Sequence, residues 1–206
     1  RSITSTSTAT LSTHDFGTIA SKMMQDVDAF IELVREARHQ EALDMLNASP
    51  ALAKARTDVS GQFHGATPLH WAAHRNAIEL CARLIDLGAI VNDSASDWWL
   101  TPLSWAADAG SADAVELLLK RGAVVNQDAI VGTTALHAVA MGGSSQGKRD
   151  PQAYKRTAEI LVAYGADINR RTSAGRTPLD DAIENSNDAV VAVLRKHGAK
   201  ESTALA

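Results

Sequence analysis

A near-identical phrase recurs four times along this chain, as Thr67-Pro68-Leu69-His70, Thr101-Pro102-Leu103-Ser104, Thr134-Ala135-Leu136-His137 and Thr177-Pro178-Leu179-Asp180. The threonines stand 34, 33 and 43 residues apart. Each phrase is followed by a Gly-Ala pair, at Gly88-Ala89, Gly122-Ala123, Gly165-Ala166 and Gly198-Ala199. Threonine to glycine is 21 positions in three copies and 31 in the other, so one copy holds ten inserted residues. A fixed period in this range marks a chain that stacks one small unit on copies of itself, because a unit of that length cannot cover its own apolar side.

The residue order within a copy predicts two helices. Thr before Pro opens the first, since the hydroxyl accepts an orphan backbone N–H and Pro at the first helical position has none to lose. Small residues follow, as in Trp71-Ala72-Ala73 and Trp105-Ala106-Ala107, and they let neighbouring copies approach closely. A second helix is expected from apolar residues at i, i+1, i+4 and i+5, seen in Leu80, Cys81, Leu84, Ile85 and in Ala114, Val115, Leu118, Leu119. The recurring glycine then suits a left-handed C-cap.

The phrase, the period and the asparagines Asn92, Asn126 and Asn169, each four residues after the repeat glycine, resemble the ankyrin repeat family over roughly residues 28–200. The resemblance implies an all-α solenoid of helix-turn-helix pairs with projecting β-hairpin-like fingers, whose first helices and fingers line a concave, partner-binding face. Five repeats are expected, near 28–62, 65–98, 99–131, 132–172 and 173–200, within a repeat domain of residues 21–206. The first copy is degenerate: Phe30, Ile31, Leu33, Val34, Leu43, Met45 and Leu46 suggest a helix pair without the Thr-Pro phrase. In the last copy Asp180, Asp181 and Arg195 replace residues that are apolar or His/Ser elsewhere, as the polar outer face of a terminal repeat requires.

Bulk properties narrow the partners. The formal charge is −4 and the Lys and Arg residues are scattered, so no basic stripe invites nucleic acid. No apolar run is long enough to cross a bilayer. A lone cysteine, Cys81, excludes an internal disulfide and fits a reducing, cytoplasmic setting. The alternative is a secreted or periplasmic chain freed of a signal peptide, since the sequence opens on Arg1 and a Ser/Thr-rich segment, residues 1–20, that reads as flexible.

Departures from the repeat carry the functional expectation. All four tryptophans, Trp71, Trp98, Trp99 and Trp105, fall in two adjacent copies. Trp71 and Trp105 share a slot and are expected to meet as partly buried core. Trp98 and Trp99 lie on a finger one residue longer than the next two, and Trp99 stands where other copies have the turn glycines Gly65, Gly132 and Gly175. Either one folds back towards Phe63 and His64 of the preceding finger, or both form an aromatic anchor for a partner. Ile130 and Val131 extend that strip, over a helical floor of His74, Arg75 and Asp108. The expected partner-binding set is Phe63, His64, His74, Arg75, Trp98, Trp99, Leu100, Asp108, Ile130, Val131 and Arg176.

Catalytic, cofactor and metal chemistry are not expected. Gly142, Gly147 and Lys148 have the spacing of a phosphate loop, but Arg149 stands where Ser or Thr must hold magnesium, and Asp150-Pro151 delays the helix. The insertion, residues 142–151, reads instead as an exposed loop, either a tolerated insertion or a second contact surface. His70 and His74 lack a third ligand. Cys81 reads as a buried small hydrophobe, with no triad among His14, His39, His64 and His197. The expected function is that of a monomeric, non-catalytic module binding another protein, the alternative being the recognition arm of an enzyme or effector whose chemistry lies elsewhere or at the insertion.

Overall fold

The computed structural model describes residues 25–56, 65–94, 100–142 and 150–205. A first helix, α1, covers 25–35 of these, and α2 (His39–Ala48) follows it. Four further pairs come next: α3 (Pro68–His74) with α4 (Ile78–Asp86), α5 (Pro102–Asp108) with α6 (Ala112–Lys120), α7 (Ala135–Met141) with α8 (Pro151–Ala163), and α9 (Pro178–Glu184) with α10 (Asp188–Lys196). The helices form two layers. In one, α3, α5, α7 and α9 pack in order; in the other, α4, α6, α8 and α10 do.

Each repeat element has a local cause. Thr67, Thr101, Thr134 and Thr177 are N-caps with extended backbone, and the Thr101 hydroxyl accepts the Ser104 N–H at 3.2 Å. The phrase leucines Leu69, Leu103, Leu136 and Leu179 are at most 2% exposed, each such side chain contributing about 1.5–3 kcal/mol on burial. The alanines after the tryptophans, Ala72, Ala73, Ala106 and Ala107, are fully buried where neighbouring first helices touch. In the second helices Leu80, Cys81 and Leu84, and Ala114, Val115, Leu118 and Leu119, face inwards as their spacing predicts. Gly88, Gly122, Gly165 and Gly198 end these helices at φ between +83° and +92°, the left-handed cap that a Cβ would strain.

Neighbouring copies are joined by the recurring asparagines. Asn92 Oδ1 accepts the Val124 N–H at 2.9 Å while its Nδ2 donates to the Gly122 carbonyl at 3.0 Å. Asn126 repeats this with the Asp167 N–H and the Gly165 carbonyl, and Asn169 accepts the Lys200 N–H. Histidine makes a second link. His70 Nδ1 accepts the Thr67 N–H at 3.1 Å, which fixes the tautomer, and Nε2 then donates to the Leu100 carbonyl of the next finger at 3.1 Å.

Several expectations change. No β-strand forms among the described residues; the two fingers described throughout are turns closed by Ala129 N–H to Thr133 O and Thr172 N–H to Arg176 O, with Gly132 and Gly175 at positive φ. Asp181 is not on the polar outer face: it is 4% exposed and is paired with Arg176 Nε at 2.6 Å. Asp180 instead makes the cap, accepting the N–H groups of Thr177 and Ser202. Burial alone would raise its carboxyl, but those donors outweigh it and hold the group below its ordinary range. Arg195 is exposed, as expected.

Part of the insertion is helix. Asp150 is the N-cap of α8, taking the Gln152 N–H at 3.0 Å, and Pro151 is its first residue, so α8 has 13 residues against nine in α4, α6 and α10. Residues 143–149, including Gly147 and Lys148, lie outside the described residues.

Candidate functional site

The side of the first helices that bears the finger turns carries a row of equivalent slots, the fifth place from each threonine. Trp71, Trp105, Ala138 and Asp181 occupy them. Trp71 and Trp105 meet edge to face, with centroids 5.0 Å apart and planes at 89°, and each is 7% exposed. They are core, held as the shared slot implies, at a geometry that suits the ring quadrupole.

A second position, two residues before the left-handed turn residue between the helices, covers the slot of the next repeat. Ala37, Asn76 and Gly110 are those turn residues, at φ of +59°, +53° and +68°. Arg35 accordingly lies over the Trp71 ring, 5.0 Å from its centroid, and His74 lies edge-on to Trp105 at 6.2 Å. Asp108 is the third of this series.

Next to Trp105 the row opens. His74, Leu100, Ser104, Trp105, Asp108, Ala138 and Met141 line a groove of about 200 Å³. Its walls are mostly apolar, and Asp108 is the one charged residue among the described residues that line it. Burial, and then the charge of Arg75, pushes the His74 imidazole below its usual range, so it is neutral at pH 7. Its Nδ1 is buried without a hydrogen-bond partner among the described residues. Tyr154 in the first turn of α8 braces the groove from behind: its hydroxyl donates to the Asp108 carbonyl at 2.8 Å, and its ring fills the space that a Cβ on Gly142 would need.

Of the expected partner-binding residues, the structure gathers His74, Leu100 and Asp108 in this groove. Arg75 is exposed at the end of α3. Ile130 and Val131 stand out on the next finger, 54% and 39% exposed, and the Val131 carbonyl accepts the Ser173 N–H of the finger beyond. Arg176 is set apart at the last repeat, engaged with both Asp181 and Glu184. Phe63, His64, Trp98 and Trp99 lie outside the described residues.

Sequence reasoning missed Ala138, Met141 and Tyr154. The first was legible as a small residue in a slot that holds Trp twice; Tyr154 carried no repeat signal because it sits in the added turn of α8.

The other titratable groups read as structure. His70 is fully buried, and burial carries it down to about 4 against the opposing pull of the Leu100 carbonyl. Burial pushes the Cys81 thiol up to about 12, a value that leaves almost no thiolate at neutral pH. No group of three or more His, Cys, Asp or Glu that could hold a metal occurs among the described residues. A larger hollow of about 320 Å³ between α2 and α4 is lined by Gln40, Asn47, Glu79, Arg83 and Asp86 among others, with Arg83 bonded to Asn47 at 3.0 Å. Gln40 and Asp86 are likewise engaged, by Asp44 and Arg121 outside the hollow.

Paired helices stacked through identical backbone links, with one face of inner helices and finger turns left open, define a repeat solenoid of the recognition type. A profile of ankyrin repeats (three copies) matches residues 33–129 and 124–203, and the chain belongs to the ankyrin repeat family. Such repeats are a protein–protein interaction module. The chain is also similar to the ADP-ribosylation factor GTPase-activating protein AGD2 of Arabidopsis thaliana, at 48% identity over 44 residues. That match spans 21% of this chain and 6% of the relative's length. Among the described residues no helix is long and apolar enough to cross a membrane.

Proposed function

We propose that this chain is a non-catalytic module that binds another protein along its first helices and fingers, between the second and fourth repeats. The observation that carries this reading is the apolar groove beside Trp105, followed on the next finger by the exposed Ile130 and Val131. Exposed apolar residues next to an apolar groove are the kind of surface that a partner covers, which supports this placement. Trp98, Trp99, Phe63 and His64 join it on sequence grounds alone. Buried Cys81 and the bonded His70 offer neither nucleophile nor base, which favours recognition over catalysis.

A match to a short part of a longer protein named for GTPase activation supports one further reading, in which the chain is the recognition arm of a larger protein with its chemistry elsewhere. The surface used is the same in both. Affinity capture with the intact chain from its native cell tests it, run beside two variants: Ile130→Asp with Val131→Asp, and Trp98→Ala with Trp99→Ala. A partner held by the parent and lost by both variants, with melting temperatures unchanged, is the expected result. Capture undiminished in both variants would overturn the placement of the site.

A further inference from the structure

We infer that Ser173, on the finger before α9, is a phosphorylation site for a serine/threonine protein kinase that reads arginine, and that the phosphate it receives governs the apolar strip beside it. The site stands by itself; its effect on the strip rests on the protein-binding reading above. Three Ser or Thr residues fall within two positions after a Lys/Arg pair: Thr157 after Lys155-Arg156, and Thr172 and Ser173 after Arg170-Arg171. The structure separates them. Thr157 is fully buried and its hydroxyl donates to the Ala153 carbonyl at 2.9 Å. Thr172 is half-buried, and its hydroxyl accepts the Arg176 N–H at 3.2 Å. Ser173 is exposed on the turn of the finger, with arginines two and three residues before it.

The chemistry asks for that arrangement. In the transfer, the γ-phosphorus of a nucleoside triphosphate parts from its bridging oxygen and bonds to Ser173 Oγ, while the hydroxyl proton passes to a carboxylate of the kinase and the diphosphate leaves. Further carboxylates on such a kinase grip guanidinium groups bidentately, and so select substrates with arginine at those two places. Arg171 is exposed and bonds within its own finger, Nε to the Gly175 carbonyl at 3.0 Å. Arg170 is paired with Asp128 at the surface, a contact it can exchange because such pairs contribute little. Opening the turn breaks Thr172 N–H to Arg176 O, Gly175 N–H to Thr172 O and Ser173 N–H to Val131 O, in a surface finger where local opening requires the least free energy. The last of these bonds fixes the consequence. It sets Ser173 against Val131, beside Ile130, and both side chains are exposed. A phosphate brings a charge of about −1.5 to −2 to the rim of that strip, which opposes the approach of an apolar partner surface.

The full chain is incubated with ATP and the catalytic subunit of the cyclic-AMP-dependent protein kinase, and the modified residue is located by peptide mass spectrometry. Phosphate on Ser173 is expected, and none there in Ser173→Ala. Arg170→Gln with Arg171→Gln should slow the transfer about tenfold or more, the effect of one lost charge-assisted hydrogen bond. Arg171→Gln alone, which leaves the Arg170–Asp128 pair in place, serves if the double variant melts early. Phosphate found elsewhere with Ser173 unmodified would overturn the site, as would a rate blind to both arginines. So would transfer to a synthetic peptide of residues 167–179 but not to the native chain, because the finger would then be closed to the kinase. For the strip, a partner protein captured by the unmodified chain should be lost on phosphorylation and regained after phosphatase treatment. Equal capture by the two forms would overturn the regulation while leaving the protein-binding reading intact.

Discussion

Acidification should weaken this fold through His70, and the size of the loss follows from its surroundings. The imidazole is fully buried, accepts the Thr67 N–H at Nδ1 and donates from Nε2 to Leu100. Burial lowers its pKa from 6.5 to about 4; nearby Asp93 pulls the other way and Arg56, paired with Asp93 at 2.6 Å, offsets that pull. Between those two values the unfolded chain binds a proton that the folded one refuses, so stability is complete above pH 6.5 and falls as pH drops towards 4. The contribution lost is about 1.4 kcal/mol at pH 5.5 and about 2.5 kcal/mol at pH 4.5. His74 and His137, both lowered first by burial, add in the same direction. Asp180 is held low and acts only below its ordinary 3.8. Urea unfolding followed by circular dichroism at pH 7.5, 6.5, 5.5 and 4.5 reads the slope. His70→Gln is the control, since glutamine at the third helical position still reaches back to the Thr67 N–H without titrating. The variant should start less stable at pH 7.5 and lose about 2.5 kcal/mol less on the way to pH 4.5. Equal pH dependence in the two proteins would refute the argument.

Gly142→Ala should cost about 2 kcal/mol, because its Cβ would stand 2.2 Å from the Tyr154 ring and force that ring from its site; thermal melting beside Tyr154→Phe, which keeps the ring and loses the hydroxyl's bond to Asp108, about 1 kcal/mol, separates packing from hydrogen bonding. Gly122→Ala meets no atom within 4 Å yet holds φ at +92°, so its expected loss of about 1 kcal/mol is backbone strain alone. Replacing Thr101 by Ala removes the cap accepted from Ser104 and should cost about 1 kcal/mol in urea unfolding. Alkylation of Cys81 in the native chain should be slower than in urea by orders of magnitude, since the thiol is buried and held up to about 12.

The stack was legible because its parts are local. Thr-Pro opens a helix and Gly closes one wherever they fall, and the shared slot of Trp71 and Trp105 announces their contact. The cap was less legible. Asp181 looks like surface on composition, yet Arg176, five residues earlier in the finger, neutralises it in the core row. Half the candidate site shows the same limit. His74, Leu100 and Asp108 could be singled out from the sequence, but the groove they share lies beside the small Ala138, and a hole is a property of neighbours. Likewise ten inserted residues read as loop, although Asp150 and Pro151 form a helix start of the kind that Thr-Pro marks elsewhere. The missing cue was the cap pair itself, obscured by the glycine and serine before it.

Each linking asparagine grips peptide atoms alone, so that bond between copies does not depend on which side chains face outwards beside it. Scaffold and specificity are thereby uncoupled: a residue facing outwards from one copy can be exchanged without resetting the spacing of the others. Selectivity in such a molecule is adjustable one rung at a time.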